Sequence, residues 1–428
     1  MAQITINLEA DEVKQLFNDM LAKTPTPTNE IGNLTYVYSL LPTAPVFSNT
    51  QLLNASVALN SIEPTETSKK TDLLVQNPYT DRLRPNGLVG TASVPYRIKS
   101  ESDTVYSLVG GDKVTASQQV IGCLNSPDYV EFYHLMITGN SDSKNQPGIT
   151  GIQLLAKQGG SHFVVKDTVI KDMSFAGVQS NSTASAGTVA SLDLSYIRVF
   201  GYNLDGEGFY LGNTSKTDFA VIQQCSLVHS LVTDKGRDGI QFNNHANLYV
   251  NKCTVYDVGK ANLDQQRALL QVQNSNGLIE NSLLFLAPEF CTIGTHGLEI
   301  RNCYFYANAR GYINKASGDY PGSPMLNGKP IIFRNCHFGS PNKINEALRI
   351  MEDGCDIQFI NCTKDSNITN LFLDNRLDKT SHNITEVGTS IAASVTPTFL
   401  NLDPLLTDTH GVITTPALLV RGIGYRSL

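Results

Sequence analysis

A strand pattern recurs nine times between Val130 and Lys364, and no other feature of the sequence restricts the fold as strongly. Its clearest copy is LEIRNCYF at 298–305. Centred on the position of Cys303, the copies fall at Leu135, Thr168, Ile197, Cys225, Cys253, Ser282, Cys303, Cys336 and Cys362, at intervals of 21 to 33 residues. Five positions before the centre stand Val130, Phe163, Leu192, Ala220, Leu248, Gly277, Leu298, Ile331 and Ile357. Three before it stand Phe132, Val165, Leu194, Ile222, Val250, Ile279, Ile300, Phe333 and Phe359. Two after it come Ile137, Ile170, Val199, Leu227, Val255, Leu284, Phe305 and Phe338, with Lys364 breaking the column. Period-two strands of this length have an apolar face that no single copy can bury, so the copies must stack. The change of spacing at the centre predicts a corner, with both arms turning alternate residues inward. The expected fold is all-β, a single-stranded parallel β-helix.

An elongated stack absorbs most of a 428-residue chain as one body, where ordinary domains would number two or three. The predicted helix spans 94–379. Residues 1–93 form an N-terminal arm or cap, with a short strand at Ile4–Leu8 and a helix at 10–22 that covers an open end. Residues 380–428 are a non-repetitive tail for capping or assembly. A net charge of −7 without a basic block argues against nucleic acid. No run of about 18 apolar residues is present to insert into a membrane. The start, MAQITINLEADEVKQ, does not read as a secretory signal. The expected setting is a virion or extracellular surface assembly, with a cytoplasmic one still open.

Five of the eight cysteines, Cys225, Cys253, Cys303, Cys336 and Cys362, share the inward centre column. They read as unlinked, volume-filling thiols. Just before the centre, Asn281, Asn302, Asn335 and Asn361 recur in consecutive rungs, as turn residues that tolerate unusual backbone and bond to their neighbours. Each of the eight histidines reads as structural or solvent-facing, without a ligand spacing such as HxH or HExxH.

A second strand follows in most rungs, as in 151-GIQLLA, 208-GFYLGN, 239-GIQFNN, 268-ALLQVQN and 311-GYINKA. The residue before each gives a column of Thr150, Glu207, Asp238, Arg267, Arg310 and Glu346, with no clear equivalent in the short rung 283–302. Successive rungs lie roughly 4.8 Å apart, so Glu207, Asp238 and Arg267 form one candidate edge. Asp205, Asp234, Lys235, Arg237 and Asp264 lie in the loops just upstream. Two carboxylates at that separation suit general acid and nucleophile roles in glycoside hydrolysis. Lys235 or Arg267 suits proton abstraction beside a uronate carboxylate, and Arg267 or Arg310 suits clamping one. An acidic, oxygen-rich cluster also suits calcium. The competing reading is a surface ion-pair ladder.

The NCxF-like rungs, the inward Cys and aliphatic columns and the Asn ladder resemble the right-handed parallel β-helix superfamily, the pectate-lyase-like fold, over about 94–379. Right-handedness follows from that resemblance and from the preference of parallel crossovers. The superfamily includes polysaccharide lyases, hydrolases, epimerases, phage tailspikes and purely structural proteins, so the resemblance implies a fold and leaves function to the site. Three functions are expected to compete. One is a phage-like recognition or structural protein of a particle or surface assembly, a homotrimer among its options, that binds a glycan or a neighbouring subunit. Another is a lyase or hydrolase that acts on an acidic polysaccharide through the Glu207/Asp238/Arg267 edge. An intracellular structural role without carbohydrate is the third.

Overall fold

The computed structural model describes residues 4–7, 50–53 and, interrupted at several connecting loops, 72–398. The chain winds as a right-handed parallel β-helix. A representative rung has three strands, Leu298–Arg301, Tyr304–Tyr306 and Gly311–Ile313. Each pairs in parallel with its counterpart one turn earlier and one turn later. Three strips of sheet result, here called leading, trailing and third. The leading strip runs from Thr50–Leu53 and Asp72–Val75 to Ile384–Val387, so parallel stacking continues on both sides of 94–379. The helix expected at 10–22 and the tail beyond 398 lie outside the described residues.

Alternation along each strand decides what faces the interior. Leu298, Ile300 and Phe305 are at most 1% exposed, as are Ile331, Phe333 and Phe338 one rung on. Burying one such side chain stabilises by roughly 1.5–3 kcal/mol. Rings stack along the columns, Phe305 on Phe338 at 5.2 Å between centroids and Phe333 on Phe359 at 5.3 Å.

The corner between leading and trailing strips is a single left-handed residue. Asn281, Asn302, Asn335 and Asn361 hold it with φ of 53°, 51°, 50° and 51°, and Asp167 and His134 hold it in earlier rungs. Asparagine bears this conformation better than most residues. Its amide also bridges rungs. Asn335 Nδ2 donates to Asn302 Oδ1 (3.3 Å), Asn302 Nδ2 to Asn281 Oδ1 (3.1 Å), and Asn281 Nδ2 to Asn251 Oδ1 (3.0 Å). Asn251 Nδ2 in turn donates to Tyr249 Oη (2.8 Å), whose hydroxyl donates to Glu280 Oε1 (3.0 Å). Arg301 closes the run on Glu280 Oε2 at 2.7 and 2.8 Å.

Two rungs sit in a different register from the sequence columns. Val165 pairs with Tyr196 and Thr168 with Val199, so Val199, and not Ile197, stands at the centre. That two-residue slip keeps the same face inward, which is why alternation alone does not detect it. Cys225 pairs with Leu194 and Leu248, which places it five positions before the centre and out of line with Cys253. Between Ala190 and Asp193 one strand also carries an extra residue, which moves the pairing with the next rung by one. Cys253, Cys303, Cys336 and Cys362 do share the inner column and are free, buried thiols.

Candidate functional site

Backbone pairing fixes the column that opens the third strip. Phe209 lies opposite Ile240, and Ile240 opposite Leu270, so two residues earlier Glu207, Asp238 and Ala268 are in line. Ala268 pairs with Glu289, and Glu289 with Ala309. The pairing of Gly311 with Leu348 then brings Glu346 opposite Ala309. The column thus reads Glu207, Asp238, Ala268, Glu289, Ala309, Glu346. Arg267 and Arg310 stand one residue to either side of it, because the strand after Arg267 begins without the glycine that marks Gly208 and Gly239. Glu289 is the counterpart that the short rung hides in sequence.

These carboxylates are carried inward by their neighbours. A Cβ on Gly208 would lie 2.3 Å from Val232 Cγ1, and one on Gly239 2.2 Å from Val255 Cγ1. The backbone therefore presses directly on the trailing strip, and Glu207 and Asp238 go in with it. Glu207, Asp238 and Glu346 are each 1% exposed and Glu289 4%.

Each glutamate has an arginine on its outer side. Arg237 Nη1 lies 3.6 Å from Glu207 Oε1, and the guanidinium sits 5.5 Å above the ring of Phe175. Arg267 holds Glu289 Oε1 through Nη2 (2.7 Å) and Nε (2.8 Å). Arg310 and Arg349 both hold Glu346 Oε1. Asp238 instead accepts a backbone bond from Ala268 N at 2.7 Å. Glu207 Oε2, Asp238 Oδ2 and Glu346 Oε2 are buried without a hydrogen-bond partner. Burial, outweighing the arginine, raises the pKa of Glu207. Asp238 is held well above the ordinary carboxyl range, first by burial and then by the charges of Glu207 and Glu289. Two carboxyls in adjacent rungs, both with raised pKa, are a pairing able to exchange a proton.

The upstream residues are placed unequally. Asp205 is half-buried, its amide donating to Met173 O at 2.8 Å. Asp234 and Lys235 end the strand Leu231–Lys235, but their side chains, and all of Asp264, lie outside the described residues. Among the described residues, no three His, Cys, Asp or Glu side chains converge as a metal site.

A second feature of the third strip was not drawn from the sequence. Between its two inward columns runs one outward row, in register from rung to rung: Gln153, Gln179, Tyr210, Gln241, Gln271, Thr292, Tyr312 and Arg349. Gln153 Nε2 donates to Gln179 Oε1 at 3.1 Å. Gln241 and Gln271 each keep a side-chain oxygen that is buried and without a partner, as Asn243 Nδ2 also is, two residues beyond Gln241. The signal in the sequence is the recurring GIQ of 151–153 and 239–241.

No family model matches this sequence, and no curated protein matches it either. Solved structures similar to it include the alginate lyase from Paenibacillus sp. str. FPU-7, at 11% identity and a TM-score of 0.37, covering 80% of this chain and 99% of that one. Another is the Azotobacter vinelandii mannuronan C-5 epimerase AlgE6 A-module, at 11% identity and a TM-score of 0.35, covering 81% and 89%. Likeness at this level carries no argument about activity.

Proposed function

We propose that this chain is a recognition β-helix that binds an extended glycan along the outer row of its third strip. One observation carries the reading: a row of side chains that are mostly amide, hydroxyl and phenol crosses eight successive rungs in register. A rung spacing of about 4.8 Å offers roughly one polar contact per sugar of an extended chain. Tyr210 and Tyr312 add flat apolar faces, and each amide both donates and accepts, as sugar hydroxyls require. Presented in several copies on a surface or particle assembly, such a row gains avidity without new contacts.

Hydrolysis by Glu207 and Asp238 is the second reading, favoured by the raised carboxyl of Asp238 beside Glu207. Contact with substrate requires that Arg237 move aside, since both acids are 1% exposed. The test is a glycan array followed by calorimetry on the full chain, with Gln179→Ala, Tyr210→Ala and the double variant Glu207→Gln, Asp238→Asn. Recognition predicts binding that falls at least tenfold in the first two and no reducing ends in the wild type. Reducing ends lost in the double variant alone select hydrolysis. An array without hits removes both.

A further inference from the structure

The charge balance of the same face points to its ligand class, and this step rests on the glycan reading above. We infer that the central subsites take an uncharged glycan, made of plain or N-acetylated sugars, and reject uronates.

From Gln153 to Tyr312 the row holds seven positions without a charge. Beside it, the arginines that would clamp a uronate are already engaged. Arg237 pairs with Glu207, Arg267 with Glu289, and Arg310 and Arg349 share Glu346. Releasing Arg237 or Arg267 to reach a sugar carboxylate leaves a buried glutamate uncompensated, which is strongly unfavourable.

The unmet groups speak in the same direction. Gln241 and Gln271 hold carbonyl oxygens that are buried and lack donors, so a sugar meets them only where the row gives way. A sugar hydroxyl or an acetamido N–H donates, whereas an ionised carboxylate only accepts. Burying a carboxylate against two carbonyls would leave all three without hydrogens, and the desolvated charge makes the loss larger.

Calorimetry on the full chain with hexasaccharides separates the possibilities. The probes are β-1,4-linked glucose, its N-acetylglucosamine analogue and α-1,4-linked galacturonate, run at neutral pH and low salt. The wild type is expected to bind at least one neutral hexamer at least tenfold more tightly than the uronate. Gln179→Lys and Gln271→Lys place a cation in the row and should narrow that gap at least tenfold; melting curves confirm that each variant is folded. Two lysine positions keep the test open if one fails to fold. Equal or tighter uronate binding in the wild type overturns the uncharged-ligand assignment while leaving glycan recognition standing. If neither neutral hexamer nor the uronate binds, and the array also has no hits, glycan recognition falls and this inference with it.

Discussion

Asp238 Oδ1 lies 2.7 Å from the amide nitrogen of Ala268 in the next rung, and that bond satisfies only half of the carboxyl. The other oxygen is buried without a partner. Its pKa is raised, chiefly by burial. Above the ordinary carboxyl value of about 3.9 and up to the raised one, the folded chain binds the proton and the unfolded chain does not. Stability contributed by the protonated form is therefore fully present below that window and lost as pH rises through it. Asp238→Asn should flatten the decline in melting temperature as pH rises above about 4, and stabilise by roughly 1–3 kcal/mol above the raised value. Parallel wild-type and variant profiles would show that the group is not buried as described.

Asn302 combines a left-handed backbone with amide bonds to both neighbouring rungs. Asn302→Ala keeps the strain, about 1–2 kcal/mol for a residue with a Cβ, and removes two bonds at roughly 1 kcal/mol each. Asn302→Gly removes only the bonds. Denaturant unfolding should rank wild type above Gly and Gly above Ala. An alanine variant at least as stable as the glycine one would exclude positive φ at this corner.

The inner thiols should behave as inert volume. Cys253, Cys303, Cys336 and Cys362 are free and buried, and burial pushes the Cys336 thiol well above its usual value. Alkylation without reductant should leave these four unmodified in the native protein and label all four in denaturant, as read by intact mass. A pair that resists labelling after unfolding would reveal a disulfide and break the column.

Most of the core was legible because every rung repeats the same demand. Leu298, Ile300, Cys303 and Phe305 are each matched one turn away, and all are at most 1% exposed. What failed was parity and offset. Ile197 and Val199 fit the column equally well by alternation, and Cys225 fits the inward centre in sequence although it stands five positions before it. The candidate edge was found through Glu207 and Asp238, whereas Arg267 entered it one residue early and Glu289 was missed. The outward glutamines escaped because polar residues on a solvent face carry no packing constraint, and only their register from rung to rung distinguishes them.

The inward and outward faces of one strand give a sharp contrast. Ile300 is fully buried, whereas its neighbour Glu299 faces outward and pairs with Arg334 at 3.0 Å. Ile300→Asp should cost several kcal/mol by burying a charge without a partner, yielding insoluble or unfolded protein. Glu299→Ala removes a half-exposed pair worth about 0–1 kcal/mol. Expression and melting temperature of the two variants check the register, and a folded Ile300→Asp protein with an unchanged melting temperature would refute it.

The asparagine corner has a sense of direction. Asn335, Asn302 and Asn281 each donate toward the rung before, and Asn302 and Asn281 each accept from the rung after. Asn251 passes the donation to Tyr249 and Tyr249 passes it to Glu280. A file of amides that all give the same way must finish on a group that only receives, and the carboxylate of Glu280, with Arg301 behind it, is that terminus. Turning a single amide round would set oxygen against oxygen on one side and nitrogen against nitrogen on the other. The side chains therefore hold one shared polarity or none, and distant turns of the helix are ordered like spins in a line, each reporting the orientation of the last.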